Sequence, residues 1–173
     1  MSEPILTDLS APSLARAIKD NLYNYFRTLG QSQKTEMGEG PSWLRWCTPI
    51  SHPWFNGVLC NRPPIEGDTA FVEETLAFFH SRGTAALTWW FDPNQSPAEW
   101  APYLEPHGFR FDNSTPGMAL ALDALPAQDR LPDGLTIITL EDTGALEAWV
   151  EVFVEGYPIP RDLCSMEHFY WEG

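Results

Sequence analysis

Cys164 and His168 lie four residues apart in a stretch that reads as helix, a spacing that can set two metal ligands on one helical face. No third ligand accompanies them in the sequence, so core packing is the plainer account and no metal site is expected. Glu66, Asp68, Glu73 and Glu74 gather around one predicted helix start, where the helix dipole favours carboxylates on a solvated face. His52, His80 and His107 are scattered and read as turn or surface positions. Cys47, Cys60 and Cys164 are odd in number and widely separated, which suits buried free thiols better than a disulfide framework or a zinc knuckle. The sequence has no Gly-x-Ser-x-Gly elbow, no Walker loop and no intact dinucleotide fingerprint, and it nominates no nucleophile.

The aromatic residues offer binding where bond-making chemistry is lacking. Trp43, Trp46, Trp54, Trp89 and Trp90 fall on or beside predicted strands. Because strand side chains alternate between faces, Trp89 and Trp90 must point opposite ways, one into a core and one toward whatever covers the other face. Trp46, Trp54, Trp89 and Trp90, with Tyr103 and Tyr157, are the candidate lining of a flat apolar pocket for an acyl chain or an aromatic amine. Core and interdomain packing is the alternative, and only the pocket requires a cavity beside these residues.

The elements that must position these residues can be read along the chain. Met1 to Leu9 reads as a loose lead-in. Ser10 or Ser13 can cap a helix with Leu14, Ile18, Leu22, Tyr25, Phe26 and Leu29 on one stripe, closed by Gly30. Gln31 to Pro41 is polar, carries Gly38 and Gly40, and reads as a flexible surface loop. Ser42 to Thr48 and Phe55 to Cys60 read as two strands of a hairpin. Asp68 can cap the next helix, whose Phe71, Val72, Thr75, Leu76, Phe78 and Phe79 face a core before Arg82-Gly83. From Ala85, an apolar run closed by Asp92-Pro93 predicts a buried strand. Ser96, Pro97 and Glu99 then form a capping box for a short helix with Trp100, Tyr103 and Leu104 on its stripe, ended by Gly108. Strands are expected at Phe109 to Asp112 and Met118 to Leu122, and again at Leu135 to Leu140. Asp142 or Thr143 caps a helix through Leu146, Trp149, Val150 and Phe153 to Gly156, and Arg161 to Gly173 reads as helical.

At 173 residues, 43% hydrophobic and 13% aromatic, the chain suits one ordinary domain or one domain and part of another. A formal net charge of −14 repels nucleic acid and anionic membrane surfaces, so neither is expected as a partner. No apolar run reaches the roughly 20 residues needed to cross a bilayer, and no secretion signal opens the sequence, which predicts a cytoplasmic protein. Asn113-Ser114-Thr115 fits a glycosylation acceptor but carries no weight without such a signal.

The strand, short helix and strand between Ala85 and Phe111, with Leu-Glu-x-x-Gly-Phe at Leu104 to Phe109, resemble the second half of the GNAT acyltransferase fold. Pro-Gly-Met-Ala-Leu-x-Leu at Pro116 to Leu122, Leu125-Pro126, and Trp-x-x-Val-Phe-x-x-Gly-Tyr at Trp149 to Tyr157 extend the likeness to the amino-terminal portion of tandem GNAT proteins. The resemblance implies an α/β (α+β) fold with a mixed, mostly antiparallel central sheet flanked by helices, and acetyl-CoA as the family cofactor. In that family the cofactor-binding strand leads into an Arg/Gln-x-x-Gly-x-Gly/Ala loop at a helix amino terminus, whose N–H groups hold the pyrophosphate. Here the equivalent stretch is Arg62-Pro63-Pro64-Ile65-Glu66-Gly67. Arg62 and Gly67 fit, but Ile65 replaces the middle glycine, two prolines delete backbone donors, and Glu66 and Asp68 oppose a phosphate. The loop is therefore expected to be non-functional, and acetyl-CoA is not expected to bind this chain tightly by itself.

By the same resemblance, residues 1–125 form a degenerate GNAT-like domain, 126–134 a linker, and 135–173 the first strand and helices of a second GNAT domain that stops short. Trp149, Phe153, Phe169, Tyr170 and Trp171 cannot be buried by that piece alone, so a truncated parent, a homodimer or an interdomain contact through 135–173 is expected. GNAT enzymes often use a Glu as general base and a Tyr to protonate the coenzyme A thiolate. No position matches either role, and Tyr103 and Tyr157 are the tyrosines to test. Two functions follow: the amino-terminal, structural or substrate-shaping part of an N-acetyltransferase acting on a small-molecule amine, or a non-enzymatic binding or dimerisation module. A third, acyl-CoA held by splayed strands alone, lacks donors for the pyrophosphate.

Overall fold

The structure, a computed structural model, describes residues 6–62, 69–92, 95–121, 131–157 and 159–160. The chain divides into two units, Met1–Met118 and Ala119–Gly173. The elements of the first are α1 (Ala11–Leu29), β1 (Glu36–Gly40), β2 (Trp43–Cys47), β3 (Gly57–Cys60), α2 (Ala70–His80), β4 (Thr88–Phe91), α3 (Pro97–Leu104) and a 3-10 turn (Glu105–His107). The second contains α4 (Thr143–Gly156). The class is α+β, with a four-stranded sheet in the order β1-β2-β3-β4.

The sheet is mixed. β1 pairs with β2 and β2 with β3 antiparallel, the latter being the expected hairpin, while α2 carries the chain across so that β4 lies parallel to β3. Each face has its own core. Val58, Cys60, Trp89, Val72, Phe79 and Trp100 pack together between the sheet and α2 and α3. Leu44, Trp46 and Leu59 pack against Phe26 of α1 on the other face. Trp89 is buried in the first core and Trp90 packs on the second, so the two indoles point to opposite faces, and α1 supplies the cover that Trp90 requires.

Several segments depart from the sequence reading. The polar stretch before Pro41 is not wholly a loop: Glu36–Gly40 is the edge strand β1, joined to β2 by the tight Pro41-Ser42 turn. Glycine and glutamate have little strand preference of their own, and this strand is held by its neighbours. Arg27 bonds Glu39, Arg82 bonds Glu36, the Trp43 side chain lies over Gly40, where a Cβ would collide, and the Arg45 side chain lies close over Gly38. In the opposite sense, Phe109 to Asp112 and Met118 to Ala121 form no strand, and Phe111, Met118 and Leu120 are exposed. Alternation describes only local chemistry, whereas a strand needs a partner, and Pro116 deletes a ladder donor between the two runs. Leu135 to Leu140 likewise has strand composition without strand pairing among the described residues, with Ile137 81% exposed.

The helix caps follow the sequence more closely. Ser96 Oγ accepts from Ala98 N and Glu99 Oε2 accepts from Ser96 N, completing the capping box of α3. Gly108, at φ +87°, ends that helical stretch, and Phe109 N donates back to Leu104 O. Asp142 caps α4 by accepting from Ala145 N, and Leu146, Val150 and Val154 are its buried stripe. For α2 the N-cap position is Thr69, whose hydroxyl donates to Glu73, while Asp68 lies outside the described residues. The expected helix from Arg161 to Gly173, with Cys164, His168, Phe169, Tyr170 and Trp171, also lies outside them.

Candidate functional site

Among the described residues of the first unit, a trench of about 710 Å³ along the outer edge of β4 could accept a ligand. Leu22, Tyr25 and Phe26 of α1 form one wall, and Trp100, Ala101 and Leu104 of α3 form the other. Thr88 to Phe91 run along the floor, and Phe109 to Asn113 border the open side. Among the described residues β4 has a strand neighbour on one side only, and the helices before and after the sheet line the space along its other edge.

The floor carries backbone chemistry. Thr88 N donates to Asn56 O and Asp92 N to Cys60 O, so the even-numbered residues of β4 turn their peptide groups toward β3. By the two-residue period of a strand, the N–H and C=O groups of Trp89 and Phe91 turn outward, to the trench. Side chains alternate independently of this. Trp89 and Phe91 pack on Trp100, with centroid distances of 5.6 and 5.9 Å, and Trp90 faces Phe26 at 6.1 Å.

Local contacts hold the walls and the rim. The capping box starts α3 at a fixed point, and Trp100 Nε1 donates to Gln95 Oε1 at 2.7 Å. On the other side, Phe26 stacks on Trp46 of β2. At one end the loop from Thr48 to Asn56 brings Trp54, 47% exposed, to the rim. Fully buried Asn56 shapes that loop by accepting from Thr48 N at 2.7 Å and donating to Ile50 O at 2.6 Å and His52 O at 3.1 Å. Thr88 Oγ1 ties it to β4 by donating to Pro53 O at 2.8 Å.

The charged residues along the trench are Glu105, Arg110 and Asp112, all exposed. Nearby, Lys19 Nζ stands 3.6 Å from Asp92 Oδ2 at the end of β4. Burial pushes the Tyr23 hydroxyl up to about 12, with the Asp92 carboxylate adding to the effect. Its oxygen is buried without a hydrogen-bond partner in the structure. Burial also pushes the Cys60 thiol up to about 12. These shifts hold the phenol and the thiol in their neutral forms, the opposite of an activated nucleophile.

Of the residues nominated from sequence, Trp54, Trp89 and Trp90 come together on the trench. Trp46 is fully buried behind Phe26, and Tyr103 packs on the α2–α3 core away from the lining. Tyr157 belongs to the second unit, where Trp149 stacks on Phe153 and Phe153 makes a tilted contact with Tyr157, just past the end of α4. Arg62 is exposed at the end of β3, while Ile65 and Gly67 of the loop lie outside the described residues. Sequence reasoning missed Trp100, Phe26, Tyr25 and Phe109 as lining, because helical stripes read simply as core. The missing signal was the edge of β4 that has no strand partner among the described residues, which no local pattern encodes. Cys47 and Cys60 are buried free thiols, and no cluster of three or more potential metal ligands occurs among the described residues. Among those residues, too, no helix is long and apolar enough to cross a membrane.

No family model, no curated protein and no solved structure matches the chain.

Proposed function

We propose that the chain is the amino-terminal part of a GNAT-type N-acetyltransferase, which moves acetyl from acetyl-CoA to the amine of a small molecule. This half shapes the substrate cleft and leaves the chemistry to a second domain of the full-length protein. One observation carries the reading: β3 leads through residues 61–69 into α2, and β4, parallel to β3, is followed by α3 and its Leu104–Phe109 turn. That is the strand, loop, helix, strand and helix order the family resemblance calls for. It comes with a mixed, mostly antiparallel sheet and an aromatic trench along β4. In this reading the altered sequence of the Arg62 to Gly67 loop is the reason for expecting acetyl-CoA in the other domain.

A second reading, a non-enzymatic binding module on the same fold, is favoured by the trench itself. Its walls are aromatic, and its charged groups are exposed side chains on the rim. Isothermal titration of acetyl-CoA separates the possibilities. The acetyltransferase reading expects no saturable binding to this chain and saturable binding, with amine acetylation, by the full-length protein. A full-length protein that neither binds nor acetylates leaves the binding module. Tight binding to this chain alone, lost in Arg62→Ala, overturns the assignment of the altered loop.

A further inference from the structure

We propose that the outer edge of β4 is a docking site for an extended cationic peptide segment, which adds to the sheet as a fifth strand. The outward N–H and C=O groups of Trp89 and Phe91 form a short ladder with no strand partner among the described residues. An extended backbone satisfies such a ladder, whereas a compact apolar ligand would cover these groups without bonding them.

Exposed strand edges are ordinarily blunted by lysine, proline or a bulge. Thr88–Phe91 contains none of these. It is protected instead by its position on the floor of a trench walled by α1 and α3. Those walls also select the occupant. A single extended chain meets only these walls, whereas a second copy pairing through its own β4 would have to bring its own α1 and α3 past them.

The trench sets the chemistry of the segment as well. A strand beside β4 alternates its side chains between Trp100, Leu104 and Phe109 on one face and Trp90, Tyr25 and Leu22 on the other. Both faces are apolar, so the middle of the segment must be apolar at successive positions. Its flanks meet Glu105 and Asp112, against the single guanidinium of Arg110, on a chain of net charge −14. Flanking lysines therefore gain at the rim and are steered by the overall field. This assignment is independent of the acetyltransferase reading, since peptide pairing and acetyl-CoA binding are separate measurements.

The test uses the synthetic peptide acetyl-Lys-Lys-Val-Leu-Val-Val-Lys-Lys-amide and amide hydrogen exchange followed by NMR. On saturation, exchange at Trp89 and Phe91 should slow by about tenfold or more, while Trp90, already bonded to β3, serves as the unchanged reference. A peptide N-methylated at alternate central residues should lose binding, and one with glutamate in place of lysine should bind about tenfold more weakly. Binding without protection of Trp89 and Phe91, equal binding of the N-methylated or acidic peptide, or no binding overturns the proposal. So does protection of both amides in the dilute free protein, which assigns the edge to this chain's own residues. Protection that grows with protein concentration alone assigns it to a second copy and overturns the proposal equally.

Discussion

The rings of Phe26 and Trp46 lie face to face, 3.8 Å between centroids and 19° between planes. Phe26 is the one buried residue of α1, and Trp46 is fully buried on β2, so this stack is the seam between helix and sheet. Phe26→Ala should cost about 3–5 kcal/mol, because the lost ring leaves a cavity that neither rigid element can fill. Urea unfolding followed by tryptophan fluorescence would measure it. A loss below about 1 kcal/mol would mean that α1 is held to the sheet by something other than this seam.

Asn56 is the second fixed point, and its chemistry differs. Its side chain is fully buried, accepts from Thr48 N and donates to Ile50 O and His52 O, so it replaces the backbone pairing that the loop between β2 and β3 lacks. Asn56→Ala strands one donor and two acceptors and should cost about 2–3 kcal/mol, with Asn56→Asp no better because it lacks the amide donors. The same variants should shift the emission of Trp54 at the rim of the trench. Stability within about 0.5 kcal/mol of the parent would show that the loop is shaped by its prolines instead.

These two residues mark what the letters disclose. The hairpin of β2 and β3, the capping box at Ser96 and Glu99, and the opposed indoles of Trp89 and Trp90 all follow from spacing within a few residues, and the structure has them. Three other features depend on distant partners. Glu36–Gly40 is a strand because β2 and two arginines hold it, although its composition speaks for a loop. Leu135 to Leu140 has strand composition but no strand beside it among the described residues. The trench is legible only in part: Trp54, Trp89 and Trp90 could be nominated as flat apolar surface. The outward peptide groups of Trp89 and Phe91 could not, since they depend on which neighbour β4 lacks.

His52 couples the loop to pH. Its Nδ1 accepts from Trp54 N at 3.3 Å, and burial lowers its pKa below the ordinary histidine value. The folded state therefore favours the neutral ring, and the unfolded chain binds the proton more readily. Stability from this group is complete above the unfolded value of about 6.5 and falls as pH drops through that value toward the lower folded one. Protonation also removes the lone pair that holds the Trp54 turn. The urea midpoint should decline between about pH 7 and pH 5 by more in the parent than in His52→Gln, with a matching change in Trp54 emission. Identical pH slopes in the two proteins would remove His52 from the account.

Cys60 gives a chemical readout of the core on the other side of β3. Its thiol is buried, and burial pushes its pKa up to about 12, so the nucleophilic thiolate is scarce at any ordinary pH. Iodoacetamide at pH 8 should leave Cys60 unmodified in the folded protein and alkylate it fully in urea, with peptide mass mapping used to identify the site. Because Cys60 packs among Val58, Val72, Phe79 and Trp89, the rate of slow labelling reports how often that core opens. Loosening α1 by Phe26→Ala, on the opposite face of the sheet, should raise the labelling rate only as far as global stability falls. Prompt alkylation of Cys60 in the parent protein would show that the core between the sheet and α2 is open to solvent.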